Sequence, residues 1–421
     1  MHYKFIDLFA GIGGLRLGFE RACSSLGHTS ECVLTAEIKP SACKVLERHF
    51  PGHNNVGDVT AVRTEDIPAF DVLLAGFPCQ TFSVAGRRAG FEDTRGTLFF
   101  DVARILRDKR PSHFILENVD HLVVHNRRSK LDSIGETFQV ILSVLEDLGY
   151  SVSWRVLNAY DFGVPQKRLR VFICGSLSST PPPDLTSFPV VPSCLADILE
   201  EGLPPVHNKY LDRLLDGRDP YSLQGSKVTC FHSGARVIPG WHFGALGDVD
   251  DNDKALLDFM LTHSRVTKLY PKEISVRPLP TEYLAERVGV DGLEARLERL
   301  HDMGYVKLAY PRAFGKDYTD MPKGWVLKFG GLSYGIKHIC RLDSFVFTLS
   351  ALDAYLNHVP TTCRETGEVG LRPFTLTELC RLSGFPDDWL DGVGFRTACD
   401  LVGNSVVVPC VEAVAVRTLL A

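Results

Sequence analysis

The chain reads as an α/β protein: a doubly wound, mostly parallel sheet with a smaller, irregular domain attached. Three observations predict this. Short apolar runs alternate with amphipathic stretches over residues 1–175, the spacing of parallel strands joined by helices. A Ser-, Thr- and Pro-rich stretch at 176–192, including Pro181-Pro182-Pro183, breaks the pattern as a linker would. A final apolar segment, Val406-Val407-Val408-Pro409 and the helical 411–420 after it, would make a poor free tail and should return to the first domain.

In order, the strand candidates are residues 4–9, 32–36, 71–75, 113–116, 153–157 and 171–174. Helical patterns fill the gaps at 15–26, 42–50, 98–107 and 134–148. The expected boundaries are 1–178 with 395–421 for a discontinuous first domain and 179–394 for the second. The second is rich in Gly and aromatics and mostly lacks a period. Within it, 281–288 and 291–303 read as two helices joined by a short turn, with Leu293, Leu297 and Leu300 on one face, and Tyr305-Val306-Lys307-Leu308 as a strand. A helical hairpin packing its own core is the simpler reading. A winged helix-turn-helix across 280–330, with Arg296 and Arg299 turned to DNA, is the other.

The 421 residues suffice for two domains, and a 45% hydrophobic content suits a soluble globular chain. The amino terminus lacks a charged leader followed by an apolar run, and no uninterrupted apolar stretch has membrane-spanning length, so a cytosolic protein without a membrane partner is expected. The twelve cysteines form no CxxC pair and no cysteine–histidine cluster, so no metal is expected and most thiols should be reduced core residues. A net charge of −5 announces no nucleic-acid binder by itself. Local basic groups at 87–88, 104–110, 127–130 and 167–170 keep that partner open.

The first strand ends in Ala10-Gly11-Ile12-Gly13-Gly14 and enters a helix, a turn at which backbone can approach a ligand closely. The dinucleotide pattern GxGxxG is not met, because position 16 is Arg. Glu37 follows the second strand, where an acid can accept ribose hydroxyls, and Asp58 sits at the next turn, suited to an adenine amino group. Together they suit an adenosyl ligand without a pyrophosphate.

Gly76-Phe77-Pro78-Cys79-Gln80 follows the third strand, and Glu117-Asn118-Val119 ends the fourth. Both should open on the carboxyl edge of the sheet, where ligands bind in this fold class. A thiol of ordinary pKa about 8.5 must be partly thiolate to attack, so nearby positive charge suits it. Arg168 and Arg170 are the candidates. Glu117 needs a raised pKa to donate a proton, which a pocket that excludes water supplies. The combination permits conjugate addition to an electron-poor ring: Cys79 attacks C6 of cytosine, Glu117 protonates or hydrogen-bonds N3, and C5 takes a methyl group from a sulfonium.

In order along the chain, residues 7–14, Glu37, 57–60, 76–83 with Arg95-Gly96-Thr97-Leu98-Phe99, 117–119, 166–170, 372–389 and Gly403-Asn404-Ser405-Val406 resemble the motif series of the DNA (cytosine-5)-methyltransferases, of the bacterial restriction–modification type. The resemblance implies a Rossmann-like fold dependent on S-adenosylmethionine, a catalytic domain formed by 1–178 and 395–421, and a target-recognition domain in 179–394. It implies that Phe9, Glu37, Asp58, Leu98, Asn404 and Ser405 line the cofactor site, together with the turn glycines Gly11, Gly13 and Gly14 and with Pro78. Cys79 is then the nucleophile, Glu117 and Arg170 hold a flipped-out cytosine, and Arg168 completes the catalytic group. Gln80, Ser83, Arg95, Thr348 and Leu349 are the implied DNA contacts, while Arg381, Gly384 and Phe385 belong to the motif that organises the recognition domain.

Two positions depart from the pattern: Lys39 where Asp or Asn is common, and Leu401 where Gln often precedes Gly-Asn. The implied partners are double-stranded DNA and a cognate restriction endonuclease, with the enzyme a monomer. A non-catalytic DNA-binding member and a tRNA cytosine methyltransferase sharing this core are the competing readings.

Overall fold

The computed structural model describes residues 1–78, 98–129, 131–177, 182–229, 236–266, 269–313, 316–328, 335–351 and 354–420. The chain divides into two compact units. One comprises Met1–Leu199, Leu342–Ala354 and Thr375–Ala421, the other Glu200–Arg341 and Tyr355–Phe374.

The first unit holds strands β1 (His2–Leu8), β2 (Thr29–Ala36), β3 (Val72–Ala75), β4 (His113–Val119), β5 (Ser151–Asn158), the two-residue β6 (Gln166–Lys167) and β7 (Leu169–Ser176). Its helices include α1 (Gly14–Ser25), α2 (Pro40–His49), α3 (Leu98–Lys109) and α4 (Glu136–Asp147). Six strands form a sheet in the order β2-β1-β3-β4-β7-β5. β1, β2, β3 and β4 pair in parallel, and β7 runs antiparallel to both its neighbours. The expected doubly wound, mostly parallel sheet is therefore the observed one.

Alternate side chains of the strands feed two cores, which is why their sequences are apolar throughout. Phe5, Val72, Leu74, Ile115 and Phe172 pack with Leu15 and Phe19 of α1 and with Val411 and Val414. Ile6, Leu73, Phe114, Leu116 and Val171 pack with Val102 and Leu106 of α3 and Phe138 and Ile141 of α4. The carboxyl-terminal helix Val408–Leu419 thus completes one face of the sheet. It approaches α1 so closely that a methyl group at Gly18 would lie 2.6 Å from Val411 Cβ. By composition, 395–419 could cross a membrane, but it forms two helices, Phe395–Gly403 and Val408–Leu419, mostly buried in this core.

Register decides what the sheet presents. Leu8 lies opposite Ala36 on one side and Ala75 on the other, and Ala75 lies opposite Leu116. Phe9, Glu37 and Gly76 consequently leave the sheet at one edge, where Glu117 of β4 also lies. β1 is also where the strand order reverses, the place at which open α/β sheets bind ligands.

Two short segments expected in the irregular domain belong to this unit. Val346–Phe347 pairs in parallel with β6, and Leu376–Arg381 starts with a capping box between Thr375 and Glu378. A two-residue ladder has no period to read from sequence.

The second unit contains a five-stranded sheet in the order Val369–Pro373, Asn357–Thr362, His338–Ile339, Lys227–Val228, Val237–Ile238. It also contains helices Asp251–Val266, Thr281–Val288 and Leu293–Met303, followed by an antiparallel hairpin of Val306–Ala309 with Gly324–Leu327. Leu279 bridges to Trp325 of the hairpin, and Trp241, Leu256, Leu284, Leu297, Leu300 and Tyr305 fill the common core. Three helices followed by a hairpin are compatible with either reading of this stretch, a helical hairpin with its own core or a winged helix-turn-helix. The arginines of its last helix, however, are engaged internally. Arg296 donates to Asp250 and Asp253 at 2.7 and 2.8 Å, and Arg299 pairs with Asp253, whose side chain is fully buried. What the helix leaves exposed includes Glu294, Glu298 and Asp302, one acidic stripe at i, i+4, i+8. In the helix-turn-helix alternative Arg296 and Arg299 would turn to DNA; in this fold both pair with buried Asp253, and Arg296 also with half-exposed Asp250.

Candidate active site

A cavity of about 570 Å³ opens at the shared strand edge, within the size range of small-molecule sites. Phe9, Gly11, Glu37, Asp58, Pro78, Leu98, Glu117, Arg168, Arg170 and Asn404 all line it. Side chains from widely separated stretches of sequence therefore meet in one place. Ile12, Ile38, Val59 and Leu401 add apolar wall.

Phe9 follows β1 directly with a φ of 57°, a left-handed conformation unusual for a bulky residue and a form of strain that clusters at functional sites. Glu37 is held from both sides: its Oε2 accepts from the Gly11 amide and its Oε1 from the Lys39 amide, each at 2.7 Å. A carboxylate has about four acceptor positions, so two remain for a ligand. Asp58 Oδ1 accepts from the Thr60 amide at 2.9 Å and its hydroxyl at 2.8 Å, bonds that hold its carboxyl below the usual range.

Gly13, Gly14 and Ser405 stand behind the wall. Gly13 is the N-cap of α1 with φ 85°, and a Cβ on Gly14 would come within 2.6 Å of Val406. The Ser405 carbonyl accepts from Arg168.

At the other end of the cavity Glu117 is buried, and Arg170 Nε lies 3.1 Å from its Oε1. Burial raises its pKa, with Arg170 and then Arg168 pulling the other way. The net direction is upward, so desolvation outweighs the two cations. Asn118 donates to the Phe77 carbonyl at 2.7 Å and so fixes the loop that leads to Pro78.

Arg168 is deeply buried and donates to the carbonyls of Leu349 (3.0 Å), Gly403 (3.0 Å) and Ser405 (2.5 Å). Burial, aided by Arg170, lowers its pKa to about 9, though a guanidinium stays charged at neutral pH. Its hydrogen bonds make it a tie between distant chain segments. Leu349 is fully buried, and its amide donates to Gln166 Oε1 at 3.2 Å. Exposed Thr348 bonds the Lys167 carbonyl at 2.8 Å.

Cys79, Gln80, Ser83 and Arg95 lie outside the described residues. Of the ten described thiols seven are buried, and burial pushes Cys174 up to about 12, which makes for a poor nucleophile. Among the described residues no three His, Cys, Asp or Glu side chains converge as a metal site would require.

Two residues of the site escaped the sequence reading. Asn55 clamps the backbone of Glu37, accepting from its amide at 3.0 Å and donating to its carbonyl at 3.2 Å. An Asn two residues before a turn glycine was the available signal. Asp400 pairs with Lys39 and gave no local signal.

Fold and site together define an α/β enzyme with a nucleoside-sized pocket at the switch point of its sheet and a buried carboxyl–guanidinium pair beside it. The model of the family described as C-5 cytosine-specific DNA methylase matches residues 3–218 and 313–419. The chain is 43% identical to the type II methyltransferase M.NgoBV of Neisseria gonorrhoeae and to M.NlaIV of Neisseria lactamica, in each case over 99% of this chain and 98% of the relative. The solved methyltransferase EhMeth of Entamoeba histolytica shares the fold, with a TM-score of 0.51 at 15% identity over 100% of this chain and 99% of that one. The chain belongs to the C-5 cytosine-specific DNA methylases, and within them to the bacterial restriction–modification type. It is an enzyme whose substrate class is DNA, and the methyl donor of its family is S-adenosylmethionine.

Proposed function

We propose that the enzyme methylates C5 of a cytosine rotated out of duplex DNA, through a transient bond between Cys79 and C6. The observation that carries this reading is Glu117: a buried carboxyl of raised pKa, paired with Arg170, on the wall of an adenosyl-sized pocket. A ring carbon within a stacked duplex is out of reach of such a recess, which is the reason for extruding the base.

The donor set fits the adenosyl group. Glu37, with two acceptor positions left, would hold the ribose hydroxyls, Asp58 the adenine amino group, and Phe9, Leu98 and Val59 the apolar ring faces. When bound, S-adenosylmethionine supplies an electrophilic methyl group on a sulfonium centre. The chain's own residues do the rest. Cys79, which follows Pro78 directly in sequence, adds as thiolate to C6. Glu117 delivers a proton to N3, so the electron pair displaced from the C5–C6 bond makes C5 nucleophilic. Arg170 orients Glu117 and limits how far its pKa rises. After methylation, loss of the C5 proton to a base expels Cys79 and restores the ring. Arg168 acts through Leu349, Gly403 and Ser405 and positions the walls.

In this reading the second unit selects the DNA site, the enzyme works as a monomer, and a cognate endonuclease cuts the unmethylated sequence. Incubation with tritiated S-adenosylmethionine tests the substrate: label should enter unmethylated duplex DNA and not tRNA. Bisulfite sequencing of that DNA then gives the target. A duplex carrying 5-fluorocytosine at the target should trap a denaturant-stable protein–DNA adduct, since fluorine cannot leave as the proton does. Label confined to tRNA, or no adduct with an active enzyme, defeats the proposal.

A further inference from the structure

Lys39 occupies the N-cap of α2, with Pro40 after it and no side-chain cap. Local chemistry disfavours it there, because a helix start wants a short acceptor side chain and negative charge. Its ammonium is instead used at long range. It pairs with Asp400 on the helix Phe395–Gly403, 361 residues away in sequence. Both side chains are 38% exposed, at the surface of the unit. Asp400 in turn accepts from Asn404 Nδ2, through Oδ1 at 3.0 Å and its own carbonyl at 2.9 Å. On the other side the Lys39 amide holds Glu37, which holds the Gly11 amide. Gly11, Glu37, Lys39 and Asn404 line the same cavity. A continuous polar chain therefore rounds its rim, closed by one ion pair.

We propose that Lys39 and Asp400 form a clasp across the rim of the cofactor pocket and set how long the adenosyl ligand stays bound. This rests on reading the cavity as the adenosyl site. A half-exposed ion pair contributes little to folding and is screened by salt. It must nevertheless part each time the two walls separate. Release of ligand from the wild-type enzyme is thus salt-dependent, and release without the clasp is not.

The test is the dissociation rate of S-adenosylhomocysteine from the full chain, followed by displacement of radiolabelled ligand at low and high salt. Lys39→Asn supplies a proper cap, so α2 is at least as stable and thermal unfolding should not fall. Asp400→Asn keeps the acceptor for Asn404. Each variant should release the ligand about two- to fivefold faster at low salt, the double variant no faster than either, and all three should lose the salt acceleration. Wild-type release rates and salt response in Lys39→Asn overturn the clasp while leaving the pocket intact. Failure of the wild-type enzyme to bind S-adenosylhomocysteine overturns the pocket reading and the clasp with it.

Discussion

Arg168 and Arg170 in the first unit resemble Arg296 and Arg299 of the other unit: in each case two guanidiniums close together along the chain. The fold gives them different work. Arg170 faces Glu117, a carboxyl whose pKa is raised despite the pairing, and Arg168 ties three carbonyls. Arg296 and Arg299 converge on Asp253, a fully buried carboxylate at the start of the helix Asp251–Val266. One pair borders the cavity at the sheet edge, the other an open surface recess shared with Asp248, Asp250 and Asp291. An arginine pair takes its meaning from the carboxylates opposite it, and those are set by tertiary contacts.

The largest effects should come from the surroundings of Arg168 and Arg170. Cys79→Ala is expected to lower methyl transfer by roughly 10⁴-fold or more while ligand binding survives, as single-turnover assays would register. Glu117→Gln should cost about 10²- to 10⁴-fold in kcat, the range for a lost acid catalyst, with little change in stability. The pH profile sharpens the point. A raised pKa keeps Glu117 protonated at higher pH than an ordinary carboxyl, so activity should fall as pH climbs through its folded value. Arg170→Met removes the chief opposing charge and should move that alkaline limb to higher pH. An unmoved limb means that Glu117 is not the titrating acid.

Arg296 and Arg299 predict a stability effect instead. Asp253→Ala removes two charged hydrogen bonds and the side-chain acceptor of the Asp250 amide, and should cost about 2–3 kcal/mol in denaturant unfolding. Double charge reversal at Arg296 and Arg299 should lower DNA binding only as far as it unfolds the protein. Weakened binding by a fully folded double variant would restore these arginines as a DNA surface.

A third carboxyl shows what happens without a well-placed guanidinium. Asp7 on β1 is buried, and neither oxygen makes a hydrogen bond of ordinary geometry. Burial pushes it up to about 8, against the pull of Arg16. A raised folded pKa means that stability is fullest below the ordinary carboxylate range and declines as pH rises toward 8, at up to about 1.4 kcal/mol per pH unit. Asp7→Asn should remove that slope from the pH dependence of unfolding. The smallest effect expected is from neutralising Glu294, Glu298 and Asp302, within about 0.5 kcal/mol of stability. Duplex affinity at low salt should hold or rise slightly. A marked drop would make this acidic face a contact after all.

The first unit was legible because its signals are local. The short apolar run 72–75, closed by Gly76 and Pro78, has the length and flanks of a strand covered on both sides, and a glycine turn after a strand allows backbone to approach a ligand closely. Glu37 and Glu117 could be placed on one edge because strand ends in a parallel sheet share an edge, whereas Asp58 follows no strand and caps the short turn Val59–Ala61. The helix Asp251–Val266 carried a usable pattern in Leu256, Leu257, Met260 and Leu261, which the irregular stretches around it obscured. β6 and its partner Val346–Phe347 carried none.

The sequence by itself determined the sheet, the turn that shapes the pocket and the chemical groups available to it, since periodicity and backbone sterics act over a few residues. Only the tertiary structure decided which partner each charge meets. Lys39 with Asp400, Arg168 with Ser405 and Arg296 with Asp250 are joined across 361, 237 and 46 residues. Coulomb and desolvation energies depend on distance and burial in space, and neither is written in the spacing along a chain.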